Sequence, residues 1–264
     1  MKRKKHQPRT FRSEIILPII SPVLILALWE FAVLLGYLKP LFFPPPSLIF
    51  QTFLKMIISG ELQQNLYPTL VRIFWGFVLG TVPGLIIGLS MGWSSKFRLF
   101  MDPIIAALYP IPKIAILPLI MLLLGIGELS KIAVVGIGSF FLVTINAMTG
   151  VRNINRIYFE VAKNYGAKRI KVFTKVVLPG SLPMIFTGMR LSLGMSLLLV
   201  VAVEFTAANY GIGAMIWLAW ETLRTEKLYV GVIICAILGM IFTSVLKRIE
   251  RYFMPWEETL MRQG

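Results

Sequence analysis

Apolar runs long enough to cross a lipid bilayer recur along the whole chain. A transmembrane helix needs about 20 mainly apolar residues, and the chain offers about six such segments. The predicted spans lie near residues 15–37, 66–91, 102–124, 131–149, 183–206 and 228–247. This pattern predicts an all-α polytopic membrane protein whose single transmembrane domain occupies residues 15–250.

Regularly spaced glycines mark one face of the second predicted span. They stand at every fourth position, at Gly76, Gly80, Gly84, Gly88 and Gly92. Small residues at this spacing let two helix backbones approach closely inside a membrane. We therefore expect a helix-packing stripe here, and no cofactor site, because the face carries no polar group.

Prolines interrupt the third predicted span, where Pro110, Pro112 and Pro118 surround Lys113. A proline frees backbone carbonyls, which a membrane tolerates only where protein or a water-filled cavity satisfies them. The broken helix therefore either lines a translocation pathway or carries a kink that serves packing alone.

A proline stack followed by an amphipathic pattern separates the first two spans. Ser47 is placed to cap a short helix on the outer surface. This helix either docks an external partner or packs at the membrane interface.

Residues 152–182 form a basic amphipathic segment between two apolar spans. Its seven Lys and Arg residues exclude it from lipid, because each would cost about 2.5–3.5 kcal/mol at the bilayer centre. Apolar residues recur at helical spacing before and after Gly166, and Pro179 precedes the fifth span. The pattern predicts two short helices that meet at a glycine corner and form a rigid knob for a soluble partner.

The distribution of basic residues predicts the orientation of the chain. If the N-terminus is inside, cytoplasmic segments contain 19 Lys and Arg and outer segments contain five. This bias places the N-terminal segment 1–14, the loop 152–182 and the C-terminal tail 251–264 in the cytoplasm. No small-residue cleavage site follows the first apolar stretch, which reads as an uncleaved signal anchor.

The chemistry that the sequence lacks excludes several classes of protein. It contains no P-loop motif, one histidine (His6) and one cysteine (Cys235), so we expect no nucleotide site of its own, no metal and no cofactor. The net charge of +15 sits in loops as orientation signals, and no nucleic-acid-binding fold accompanies it. We therefore expect neither an enzyme nor a nucleic-acid-binding protein.

The loop contains Glu160, Val161, Ala162 and Gly166, with Leu178 and Pro179 after them, and Tyr165 and Ala167 beside the glycine. This pattern resembles the EAA loop of permease subunits of bacterial ABC importers. Val161 stands where the family has alanine. Further segments, including Ile111-Pro112-Lys113-Ile114-Ala115, Gly188-Met189-Arg190 and Gly211-Ile212-Gly213, are similar to the sulfonate, nitrate and taurine branch of these permeases.

This resemblance implies a type I importer fold in the bacterial inner membrane. Two permease copies would form a homodimer, each docking one cytoplasmic ATPase through a coupling helix, with Glu160 pairing with a basic residue of the ATPase. An external binding protein would deliver an aliphatic sulfonate, taurine or nitrate. The same machinery would alternatively carry a thiamine precursor, riboflavin or bicarbonate. A stand-alone secondary carrier is disfavoured, because we find neither inverted repeats nor paired acidic residues in mid-span.

Charged and hydroxyl side chains within the spans are candidates for the translocation pathway. Lys113, next to Pro112, and Glu204, near the outer end of the fifth span, are expected to face a cavity in the dimer. Ser192 and Ser196 suit either helix packing or a narrow polar pathway. Arg72 and Arg190 lie near span ends, where their side chains can extend to the membrane interface.

Overall fold

The structure, a computed structural model, describes residues 11–256, with side chains from Ile20 onward. These residues form helices and no strand, which confirms the all-α prediction. The α-helices are α1 (Phe11–Leu34), α2 (Pro46–Ile58), α3 (Glu61–Trp93), α4 (Ser95–Leu108), α5 (Leu117–Leu124), α6 (Glu128–Arg152), α7 (Arg156–Asn164), α8 (Arg169–Val172), α9 (Leu178–Ala207), α10 (Ile212–Glu221) and α11 (Thr225–Phe253). A 3₁₀ turn (Lys113–Ile116) precedes α5, and a π turn (Phe173–Val177) joins α8 to α9.

Four helices in the described part of the chain are long and apolar enough to cross a membrane. They are α3, α6, the continuous helix Arg169–Ala207 and α11, and a bent pair formed by α4 and the segment Lys113–Leu124 brings the number to five. The predicted spans 66–91, 131–149, 183–206 and 228–247 lie within these four helices, and 102–124 falls on the bent pair. The first predicted span, 15–37, falls on α1, whose part with described side chains, Ile20–Leu34, is a shorter apolar helix. Residues 1–10 and 257–264, in the two predicted cytoplasmic tails, lie outside the described residues.

The third predicted span, 102–124, is not one helix. Residues Ser95–Leu108 and Lys113–Leu124 meet at an angle of 88°. The bend falls at Pro110 and Pro112, where the missing amide hydrogens prevent continuation of the α-helical hydrogen bonds. The sequence located this break but not its angle.

The glycine stripe of α3 packs directly on α6. A Cβ atom at Gly80 would overlap the Gly136 carbonyl oxygen, and one at Gly88 would lie 2.5 Å from the carbonyl oxygen of Thr144. Any larger side chain at these positions would push the two backbones apart. Helix α6 packs extensively against both α3 and α9, and these three helices form the centre of the bundle.

Two short helices differ from the sequence-based expectation. Ser47 does not cap α2, since Pro45 holds the cap position and the Ser47 hydroxyl and amide bond to Glu30 instead. Nor does α2 lie only on the surface, because Ile49 and Met56 join a buried cluster with residues of α10 and α11. Helix α10 was not predicted at all.

Candidate functional site

The predicted glycine corner is formed by hydrogen bonds at the end of α7. The Asn155 side chain caps the start of this helix by accepting from the Ile157 amide at 3.1 Å. At its other end, Gly166 adopts a left-handed φ of +66° and donates to the Lys163 carbonyl at 2.9 Å. A non-glycine residue would be strained at this angle, so the chain turns here because of the glycine.

The loop exposes apolar side chains that do not pack on the bundle. Tyr165 is 88% exposed and Ile170 is 78% exposed. Tyr158 and Val161, one turn apart on α7, are also exposed and extend the same surface. We call these four exposed side chains, Tyr158, Val161, Tyr165 and Ile170, the loop surface.

Leu178 and Pro179 lie where the loop becomes a membrane helix. Leu178 is the first residue of α9, and Pro179 follows it directly after the π turn, where the α-helical hydrogen bonding is already interrupted. The π turn before it keeps α8 and α9 in one helical segment from Arg169 to Ala207. Thus one arm of the corner is continuous with a membrane span.

At the opposite end of the bundle, Glu204 is completely buried and accepts several hydrogen bonds. Its donors are the Arg72 guanidinium at 2.6 Å, the Thr69 hydroxyl at 2.8 Å and the Gly213 amide at 2.8 Å. Arg72, which is 3% exposed, also donates to the Tyr210 carbonyl at 2.8 Å. This network joins α3, α9 and the start of α10.

Arg72 simultaneously binds a second carboxylate on α6. Its Nε and Nη2 atoms donate to Glu128 at 2.6 Å and 2.8 Å, and Lys131 donates to the same carboxylate at 2.8 Å. A bidentate arginine–carboxylate pair fixes both partners in orientation. Arg72 is therefore the shared residue of an ion network, Arg72–Glu128–Lys131–Glu204, that borders a cavity of about 570 Å³.

The glycines of the segment Gly211-Ile212-Gly213 are required by this network. Gly211 has a φ of +143°, and a Cβ atom there would collide with the carboxylate of Glu204. A Cβ atom at Gly213 would lie 2.5 Å from the Val201 carbonyl oxygen. The sequence similarity at these positions thus has a steric basis.

Glu204 and Lys113, the charged candidates for the translocation pathway, are both buried within this chain. Glu204 is paired within the bundle rather than open to solvent. The Lys113 ammonium donates to the carbonyls of Leu108, Tyr109 and Ile111 at 3.1, 2.7 and 2.7 Å. These hydrogen bonds satisfy carbonyl groups that the proline break leaves without an α-helical partner. All three of the ammonium hydrogens are used, which leaves none for an anion.

The serine candidates are buried between helices. Ser192 and Ser196 are completely buried, and the Ser196 hydroxyl bonds to Ser139 at 2.8 Å across the contact between α9 and α6. Pro112 marks the bend rather than a polar surface. In this conformation these residues pack helices together.

The sequence analysis did not predict that Arg72 and Arg190 each pair with a carboxylate on a neighbouring helix. Arg72 was expected to extend to the interface, and it is instead buried in the ion network. Arg190 bonds to Glu250 between α9 and α11. The sequence did contain a signal for these pairs, because Glu128, Glu204 and Glu250 each lie near the end of a neighbouring predicted span. Within the described residues, no three His, Cys, Asp or Glu side chains cluster as a metal site.

Comparison with known proteins identifies the class of molecule. Residues 80–258 match the family described as binding-protein-dependent transport system inner membrane component, which is more than half of the chain. The chain belongs to this family. The fold agrees, since a chain in the crystal structure of an amino acid ABC transporter with histidines superposes with a TM-score of 0.62 at 19% identity, covering 76% of this chain and 98% of that one.

Curated relatives resemble this permease over almost its whole length. The putative aliphatic sulfonates transport permease protein SsuC of Bacillus subtilis (strain 168) is 36% identical over 91% of this chain and 87% of its own. The taurine transport system permease protein TauC of Escherichia coli (strain K12) is 33% identical over 92% of this chain and 90% of its own. The protein is thus a multi-pass permease subunit of an ABC importer, a class that works with an ATPase and a binding protein.

Proposed function

We propose that this permease imports a small sulfonate, either an aliphatic sulfonate or taurine. The observation that carries the proposal is the similarity, over more than nine-tenths of the chain, to permeases named for those two kinds of substrate. An external binding protein selects and delivers the substrate. The permease supplies the path, formed between two copies of the chain.

ATP is hydrolysed by a separate subunit that binds the loop surface. The sequence has no P-loop of its own, so the energy of hydrolysis must arrive through protein contact. Exposed apolar side chains beside a corner fixed by Gly166 provide such a contact. Glu160, exposed on α7, pairs with a basic residue of the ATPase.

Both termini and the loop surface face the cytoplasm in this proposal. The excess of Lys and Arg in these segments supports that orientation. The ion network around Arg72 then lies near the outer side of the membrane, where the binding protein docks.

Uptake of radiolabelled taurine into vesicles tests the substrate. The vesicles contain the permease and its ATPase, with binding protein outside and ATP inside. We expect ATP-dependent uptake that excess unlabelled taurine or an alkanesulfonate abolishes, and that nitrate or a thiamine precursor leaves unchanged. If only the thiamine precursor competed with taurine, the substrate would be a heterocycle of that kind instead of a sulfonate.

The same vesicles without ATPase are the control for the mechanism. We expect no accumulation in them, because the permease has no energy source of its own. Concentrative uptake by the permease alone would contradict the importer mechanism and favour a secondary carrier.

A further inference from the structure

A basic cavity lies between the loop and the ends of two membrane helices. It has a volume of about 720 Å³ and is lined by Trp93 at the end of α3, Arg152 at the end of α6, and Arg156 and Arg169 of the loop, together with Gly92, Val151, Ile154, Phe159 and Glu160. Three of the lining residues are arginines, and one is an acid. The cavity therefore carries a net positive charge of two.

The three arginines are available to a ligand. Arg152 and Arg156 are exposed and have no ion-pair partner among the residues that the structure describes. Arg169 lies over the ring of Trp93, with its guanidinium carbon 5.8 Å from the ring centroid. A guanidinium held on an aromatic face is oriented while its hydrogens remain free for an oxyanion.

The position of the cavity indicates the source of that oxyanion. Trp93 is the last residue of a membrane-spanning helix and packs edge-on against Phe173, with ring centroids 5.8 Å apart. Tryptophans at helix ends mark the level of the lipid headgroups. Basic pockets between transmembrane helices at this level bind anionic headgroups, and arginine matches phosphate geometry through paired hydrogen bonds.

The cavity is separate from the loop surface. Arg156, Phe159 and Glu160 line it from one face of α7, spaced by three and four positions. Tyr158 and Val161 are exposed on another face of the same helix. A soluble partner on the loop surface would therefore contact a different face of α7. Glu160 is the one cavity-lining residue that the proposed function also assigns to that partner.

From these observations we infer that this cavity binds the phosphate headgroup of an anionic phospholipid of the inner leaflet. The lipid would join the ends of α3 and α6 to the two short helices of the loop. This inference uses the proposed orientation of the chain, but it does not depend on which substrate is carried.

Lipid binding to the purified full-length permease tests the inference. Native mass spectrometry measures the affinity for dioleoyl phosphatidylglycerol, with dioleoyl phosphatidylcholine as the matched neutral lipid. The variant Arg152→Gln/Arg156→Gln/Arg169→Gln should lose at least about tenfold in phosphatidylglycerol affinity, because each basic residue near anionic lipid contributes about fivefold. Affinity for phosphatidylcholine should not change.

A second triple variant separates a defined site from general charge attraction. Lys163→Gln/Lys168→Gln/Lys171→Gln removes the same charge from the same loop, at exposed positions that do not line the cavity. We expect a loss several-fold smaller than that of the arginine variant, because these lysines do not line the cavity. Equal losses in the two triple variants, or no loss in either, would overturn the inference.

Two further arms identify the ligand. Glu160→Gln should raise phosphatidylglycerol affinity a few-fold by removing the one acid of the cavity, and a fall would contradict the proposed site. Displacement of the lipid by millimolar inorganic phosphate would assign the cavity to soluble phosphate instead. If the arginine variant keeps its lipid affinity but no longer recruits ATPase, the occupant is an acidic segment of that partner.

If the arginine triple variant does not fold, Arg169→Gln alone serves in its place, checked by size-exclusion chromatography. Because these measurements use the permease alone, failure of lipid binding leaves the sulfonate proposal intact, and failure of taurine uptake leaves this inference intact.

Discussion

Arg72 binds two carboxylates in very different surroundings. Glu204 is completely buried, whereas the side chain of Glu128 is 56% exposed. A buried charge is tolerated only when it is paired and hydrogen-bonded, and the Thr69 hydroxyl and the Gly213 amide complete that requirement for Glu204. Without Arg72, the buried carboxylate would keep the Thr69 and Gly213 donors and lose its charged partner.

We therefore predict that Arg72→Met lowers the free energy of unfolding by about 3–5 kcal/mol, the usual effect of leaving a buried charge uncompensated. Lys227→Met is the matched control, because Lys227 and its partner Glu61 are partly exposed and such pairs contribute about 0–1 kcal/mol. Thermal unfolding of both variants in detergent gives the comparison. Equal destabilisation would show that burial is not what makes the Arg72 pair important.

Contacts between individual side chains were the feature that the sequence predicted least well. Arg72 and Glu204 are 132 positions apart, and hydrophobic periodicity reports only on neighbours within a few turns. The Lys113 contacts, in contrast, lie within five positions. A lysine just after a helix that ends at proline is a recognisable signal for bonding to the last carbonyls, and it was available in the sequence.

At the scale of elements, the contact of α3 and α6 depends on the absence of side chains. The backbones of the two helices come close enough that the glycines of α3 face carbonyl groups of α6. Such contacts supply dispersion energy and weak Cα–H hydrogen bonds in a medium where the hydrophobic effect does not drive association.

Gly80→Ala should disrupt this contact, because its methyl group would overlap the Gly136 carbonyl and the Ser139 Cβ atom. We expect a loss of stability of about 1–3 kcal/mol, as for other overpacked sites. Gly194→Ala is the control, since a Cβ atom on that helical glycine meets nothing within 4 Å. It should be neutral or stabilising by up to about 1 kcal/mol. Thermal unfolding in detergent, together with membrane yield, measures both. A stable Gly80→Ala protein would show that the helices can separate freely.

Long helices were predicted from the sequence more successfully than short ones. Long apolar runs located the described helices that are long enough to cross a membrane, and the glycine spacing marked the face of α3 that packs on α6. Helix α10 was missed because its 10 residues are too short for a span and are apolar on most sides, which leaves no periodic pattern. The prolines marked the break before α5 but not its angle of 88°, because packing on neighbouring helices sets the angle.

At the scale of the whole molecule, the proposed ATPase contact depends on the direction of the chain at Gly166. Gly166→Pro is incompatible with the φ of +66° and removes the amide hydrogen that bonds to Lys163. We expect the variant to insert normally in the membrane and to lose most of its ATPase recruitment, measured by co-purification.

Gly60→Pro is the matched control for this change. Gly60 also has a left-handed φ, of +79°, and its amide donates to the Ile57 carbonyl at 3.2 Å, but it lies between α2 and α3. It should recruit ATPase as the wild type does. Full recruitment by Gly166→Pro would refute the role that we give to the corner.

The continuous helix from Arg169 to Ala207 connects the loop at one end of the bundle to the ion network at the other. Its 39 residues correspond to about 58 Å, and it carries a charged residue of the lipid cavity at one end and Glu204 close to the other. A force that displaces the first end must either tilt the entire rod or be absorbed as strain in the π turn. If the whole helix tilts, a displacement of its first end also moves Glu204, the carboxylate bound by Arg72 near its other end.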